Sequence, residues 1–101
     1  MADPLHELDS AATPLGLVHE AAGPYLASLA MRPVVDPGAA KLLDGLGGAL
    51  PEAGTGGPEA VERLLGIGTA AATASSGPRF FHFVTGGATP AALAADWTAA
   101  L

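Results

Sequence analysis

The sequence has no cysteine, only four basic residues and no long apolar run. Without cysteine there is no disulfide framework, no thiolate ligand for zinc and no thiol nucleophile. That composition suits a reducing compartment, and a cytoplasmic location is expected. The basic residues Arg32, Lys41, Arg63 and Arg79 are scattered along the chain, so no phosphate-tracking patch and no nucleic-acid partner are expected. No stretch approaches the roughly 18 uninterrupted apolar residues of a membrane-crossing helix. The first ten residues, MADPLHELDS, carry acids, where a secretory leader carries a basic segment. No metal ligand set is apparent either. His19-Glu20-Ala21-Ala22-Gly23 has glycine where a zinc-protease helix needs its second histidine, one turn after the first.

Against these absences stand ten acidic residues and a formal net charge of −6 in 101 residues. Half of the chain counts as hydrophobic, but 23 residues are alanine, leaving 27 bulky apolar side chains, 14 of them leucine. A fully buried Leu or Phe contributes about 1.5–3 kcal/mol. The conformational entropy lost on folding is on the order of 100 kcal/mol for a chain this long. A self-sufficient core is therefore expected to be thin. Gly and Pro together make 23 residues, just under the roughly 25–30% level that signals disorder.

The prolines divide the chain. Thr13-Pro14, Asp36-Pro37 and Thr89-Pro90 each pair an N-capping residue with proline at a first helical position, and Pro58 is followed by Glu59 and Glu62. The expected fold class is all-α, with one short extended stretch. A first helix over 14–31 carries Leu15, Val18, Ala22, Tyr25, Leu26 and Leu29 on one stripe, with a kink or short break at Gly23-Pro24. A second over 37–46 presents Leu42, Leu43 and Leu46. A third over 58–66 buries Val61, Leu64 and Leu65 and pairs Glu59 with Arg63. Residues 78–89 form an extended segment near 79–84, holding all three phenylalanines, and a glycine loop. A last helix over 90–101 aligns Leu93, Trp97 and Leu101. Leu101 closes the sequence within that stripe without a capping residue, as expected of a truncated helix.

Other local patterns carry little chemistry. Gly66-Ile67-Gly68-Thr69-Ala70-Ala71 matches a dinucleotide-binding fingerprint, but a helix precedes it and no acid stands about 20 residues later, so it reads as a helix stop. Lys41, the sole lysine, sits beside Leu42 and Leu43, where a solvated ammonium rather than a Schiff-base lysine is expected. The acids are spread along the chain, without a pair marked for acid–base work. The aromatic run with its glycine loop stands apart: glycines let backbone approach another molecule closely.

Residues 75–97, SSGPRFFHFVTGGATPAALAADW, resemble the N-terminal part of the pyridoxal-phosphate-dependent group II amino-acid decarboxylases, which include aromatic-L-amino-acid and glutamate decarboxylases. The helix from Pro14 to Met31, the Arg32-Pro33-Val34 exit and the Leu50-Pro51-Glu52 turn match in order. The resemblance implies part of a fold-type I enzyme that works as a homodimer, with N-terminal helices wrapped around the partner subunit. It also implies a substrate-pocket wall formed by Phe83, Val84, Thr85 and Gly86. The family's pyridoxal 5'-phosphate lysine, stacking histidine and pyridine-binding aspartate belong to a large domain outside these 101 residues. The implied role is thus a decarboxylase fragment that binds no cofactor, holds no catalytic residue and is inactive alone. The alternative is a small helical protein-interaction module.

Overall fold

The computed structural model describes residues 4–83 and 87–101. All of its regular elements are helical: a 3₁₀ helix Pro4–Ser10, then α1 (Ala12–Ser28), α2 (Ala39–Leu43), a 3₁₀ turn Asp44–Leu46, α3 (Gly57–Ala71) and α4 (Pro90–Ala100). The fold is all-α among the described residues. α1 packs against α3, and α3 packs in turn against α2 and its 3₁₀ extension. α4 joins neither pair closely.

Local chemistry explains the boundaries. α1 runs unbroken through Gly23-Pro24, so of the expected kink or short break the break does not form. Its tail beyond Ser28 is drawn into turns, with the Met31 and Arg32 amides both donating to the Ser28 carbonyl. Of the three expected capping pairs only one works as such. The Thr89 hydroxyl accepts from the Ala92 amide at 3.2 Å, with Pro90 in the first turn of α4. Thr13 lies inside α1, and Asp36 instead closes a turn by accepting from the Gly38 amide at 2.7 Å. α2 is therefore shorter than 37–46.

The third helix also departs from expectation. It continues five residues past Gly66, to Ala71. Gly66 and Gly68 lower helix propensity, but packing against α1 and α2 overrides that preference, and Ile67 reaches Gly45 so closely that a Cβ there would lie 2.9 Å from its Cδ1. The Gly66–Ala71 stretch is thus helix interior rather than a stop. The expected strand near 79–84 does not form over its described residues. Residues 78–79 form a turn, His82 a bend and Phe83 a turn at φ 60, a left-handed conformation that interrupts an extended run.

Burial is slight. The apolar core among the described residues is Leu29, Ala71 and Ala74, at 7%, 8% and 3% exposure. Leu64, expected to be buried, is exposed, and so are Leu42 and Leu43 on α2. The radius of gyration is 15.5 Å, against about 13 Å for a compact chain of this length.

Candidate functional site

The joint that holds the helices together lies where α1 and α3 end. Leu29 packs against Gly77, where an added Cβ would sit 3.3 Å from both the Leu29 and Ala74 carbonyl oxygens. The Ala74 amide donates to the Val34 carbonyl at 2.8 Å. The Arg32 guanidinium donates to the Thr69 carbonyl at 2.5 Å, in the last turn of α3, and its carbon lies 4.6 Å from the Tyr25 ring centroid. A cation at a helix C-terminus is favourably placed against the macrodipole, and a guanidinium over an aromatic face gains further attraction. Its Nε is buried without a partner. At the opposite end of α3, Glu7 accepts from the Gly57 amide at 2.8 Å, so a carboxylate meets the positive end of that dipole.

Above this joint α1 and α3 diverge from α4 and leave an open groove of about 630 Å³. Val18, Ala22 and Leu26 of α1 form one wall and Leu65 of α3 the floor, while Leu93 and Trp97 of α4 form the far wall. These walls are the stripes legible in the sequence. They face each other across space instead of meeting, and Trp97 is 41% exposed. Sequence reasoning placed the chemistry in the aromatic run and missed the groove, whose only signal was the width of the stripes on the first and last helices.

The aromatic run forms a separate surface cluster. Phe80, His82 and Phe83 have ring centroids 5.7–6.4 Å apart, and Phe80 and Phe83 are near-parallel at 27°. Phe81 and Phe83 are 88% and 87% exposed. Of the residues expected to line a substrate pocket, Phe83 is in this cluster and does not line the groove. Val84, Thr85 and Gly86 lie outside the described residues. Lys41 is exposed on α2. The expected Glu59–Arg63 pair is replaced by a bond from Arg63 to the Gly45 carbonyl. Among the described residues no group of three or more His, Asp or Glu side chains could hold a metal ion, and no helix is long and apolar enough to cross a membrane.

No family model, curated protein or solved structure matches the chain. The described residues offer pyridoxal phosphate no enclosed aldimine lysine, since Lys41, the sole lysine, is exposed on α2.

Proposed function

We propose that this chain acts by association and carries out no chemistry alone. It would serve as the N-terminal segment of a pyridoxal-phosphate-dependent decarboxylase-like enzyme in the cytoplasm. There its helices would cover a partner subunit of a homodimer, and Phe83–Gly86 would contribute to a pocket wall. The cofactor and the groups that orient it would belong to a domain outside these residues, and decarboxylation of an amino acid would be the reaction of the whole.

One observation carries the associating role. The chain exposes 7604 Å², whereas a compact monomer of 9.9 kDa exposes about 5,200 Å² by the usual size scaling. The difference, roughly 2,400 Å², exceeds the ~800 Å² that each partner buries in a standard interface. Resemblance over 75–97 supports the decarboxylase assignment. The groove favours a second reading, a helical module for an unrelated partner.

Two measurements test the pair of readings. Sedimentation of the isolated chain is expected to show concentration-dependent association. A compact, cooperatively melting monomer with shielded Trp97 would refute association altogether. Reading the coding DNA past the Leu101 codon separates the two assignments. Continuation into a large domain with a histidine–lysine pair supports the decarboxylase reading, and a stop codon overturns it while leaving the module.

A further inference from the structure

α3 is gripped at both ends by charged side chains from the segments that flank α1. At its last turn the Arg32 guanidinium, just past α1, donates to the Thr69 carbonyl. At its start the Glu7 carboxylate, just before α1, accepts from the Gly57 amide at 2.8 Å. Each charge suits the helix end it meets, a cation at the negative pole and an anion at the positive one. Starts meet starts and ends meet ends, so α1 and α3 run in the same direction.

The two grips differ in what surrounds them. The buried apolar residues Leu29, Ala71 and Ala74 belong to the joint at the Arg32 end, and no residue of α1 itself is buried. At the other end Glu7 is the one residue between 5 and 13 that is not exposed, while Leu5 and Leu8 are 78% and 75% exposed. In that segment the carboxylate, rather than either leucine, turns inward. α3 supplies no cap of its own there, because its N-cap residue is Gly56, which has no side chain. The acceptor comes instead from 50 residues earlier. Gly57 leaves the space for it: a Cβ at that position would lie 2.6 Å from Glu7 Oε2.

From this asymmetry we infer that the Glu7–Gly57 contact is a releasable clasp and the joint its hinge. When the carboxylate lets go, α1 swings away from α3 about Leu29 and Ala74. A point on α1 moves in proportion to its distance from the hinge. At 1.5 Å per residue Val18 lies about 16 Å from Leu29, and Leu26 about 4.5 Å. Both line the groove, so the swing carries one end of that wall further than the other and reshapes the groove.

The test measures distances between paired spin labels in the full chain, which has no cysteine of its own. Gly16→Cys with Ala60→Cys reads the clasp end, and Ala27→Cys with Gly66→Cys reads the hinge end. All four positions are exposed. Labelled chain is diluted in unlabelled chain, so that only distances within one molecule are read. Glu7→Ala is expected to lengthen and broaden the clasp-end distance. The shift is expected to be at least about fivefold larger than at the hinge end, since Gly16 is about 20 Å from Leu29 and Ala27 about 3 Å. Gly57→Ala is expected to have the same effect, because its Cβ evicts the carboxylate, although alanine favours the helix over glycine. Glu7→Gln, whose amide oxygen can still accept, is expected to open α1 less than Glu7→Ala. Glu59→Ala removes an equal charge from the first turn of α3 and is expected to leave both distances unchanged. Far-UV circular dichroism checks that each variant keeps its helices, and Gly57→Ala carries the comparison if Glu7→Ala alone unfolds. An unchanged clasp-end distance overturns the inference, as does an equal change at both ends or an equal effect of Glu59→Ala. Loss of helix in both Glu7→Ala and Glu7→Gln overturns it too, because the contact would then hold the whole fold and not one end of it.

Discussion

The joint at the ends of α1 and α3 and the groove beside α4 use opposite residue types. At the joint, small residues permit close approach: Ala71, Ala74 and Gly77 let backbone meet backbone around Leu29, with Arg32 reaching across to the last turn of α3. Around the groove the bulky side chains face each other without touching, and Trp97 and Leu26 stay substantially exposed. The first region is closed by short hydrogen bonds and contact but buries little apolar area. The second has the apolar area and leaves it largely unburied. Since stabilisation scales with apolar area removed from water, the small-residue joint fixes the arrangement of helices, and the apolar area around the groove contributes little to holding it.

The sharpest way to break this contrast is Leu29→Ala. Leu29 is the one large side chain buried at the joint, and such a truncation costs about 2–5 kcal/mol. In so thin a core the expected outcome is loss of helical circular dichroism at low urea. A retained urea midpoint would show that the joint does not hold the helices. Next comes Arg32→Ala, which removes the bond to the Thr69 carbonyl and the contact with Tyr25. A hydrogen bond involving a charged group is worth about 1.5–3 kcal/mol, and a loss of this size is expected in urea unfolding. Arg32→Lys keeps the charge without the planar fork, so it is expected to recover only part of it.

The contrast also explains what was legible in the sequence. The all-α class follows from stripes spaced at three and four, and the starts of α3 and α4 from Pro58 and Pro90, whereas Pro14 and Pro37 do not open their helices. The long reach of α3 was not legible, because Gly66 and Gly68 lower helix propensity locally while packing of Ile67 beside Gly45 acts through a contact that sequence does not display. The same holds for the aromatic run. Its composition favours a strand, but a strand needs a neighbour for its backbone groups, and none exists among the described residues. The site was half legible: the apolar walls were visible as periodicity, whereas their separation by open space depends on how α4 leaves the joint. The bonds from three arginines to distant backbone carbonyls were equally hidden, since i,i+4 spacing suggested an ion pair for Arg63 that tertiary geometry replaces.

A smaller effect is expected at α4. Thr89→Ala removes the side-chain cap at the Ala92 amide, a change that costs about 1 kcal/mol of local helix stability. Because α4 joins neither helix pair closely, the loss is expected in amide hydrogen exchange of α4 and not in the urea midpoint of the joint. Coupled loss in both would mean that α4 is docked in solution and the groove closed.

The smallest expected effect on stability is also the most discriminating. Phe81 is almost fully exposed, so Phe81→Ser removes no buried area from the isolated chain and is expected to shift stability by less than about 0.5 kcal/mol. An exposed phenylalanine beside the Phe80, His82 and Phe83 rings is nonetheless what a partner surface would bury. The same substitution is therefore expected to weaken association in sedimentation, while leaving the melting of the joint unchanged. If Phe81→Ser destabilises the monomer by as much as Leu29→Ala does, the aromatic run is part of the core. The division between a joint that orders the helices and an exposed surface outside the core then fails.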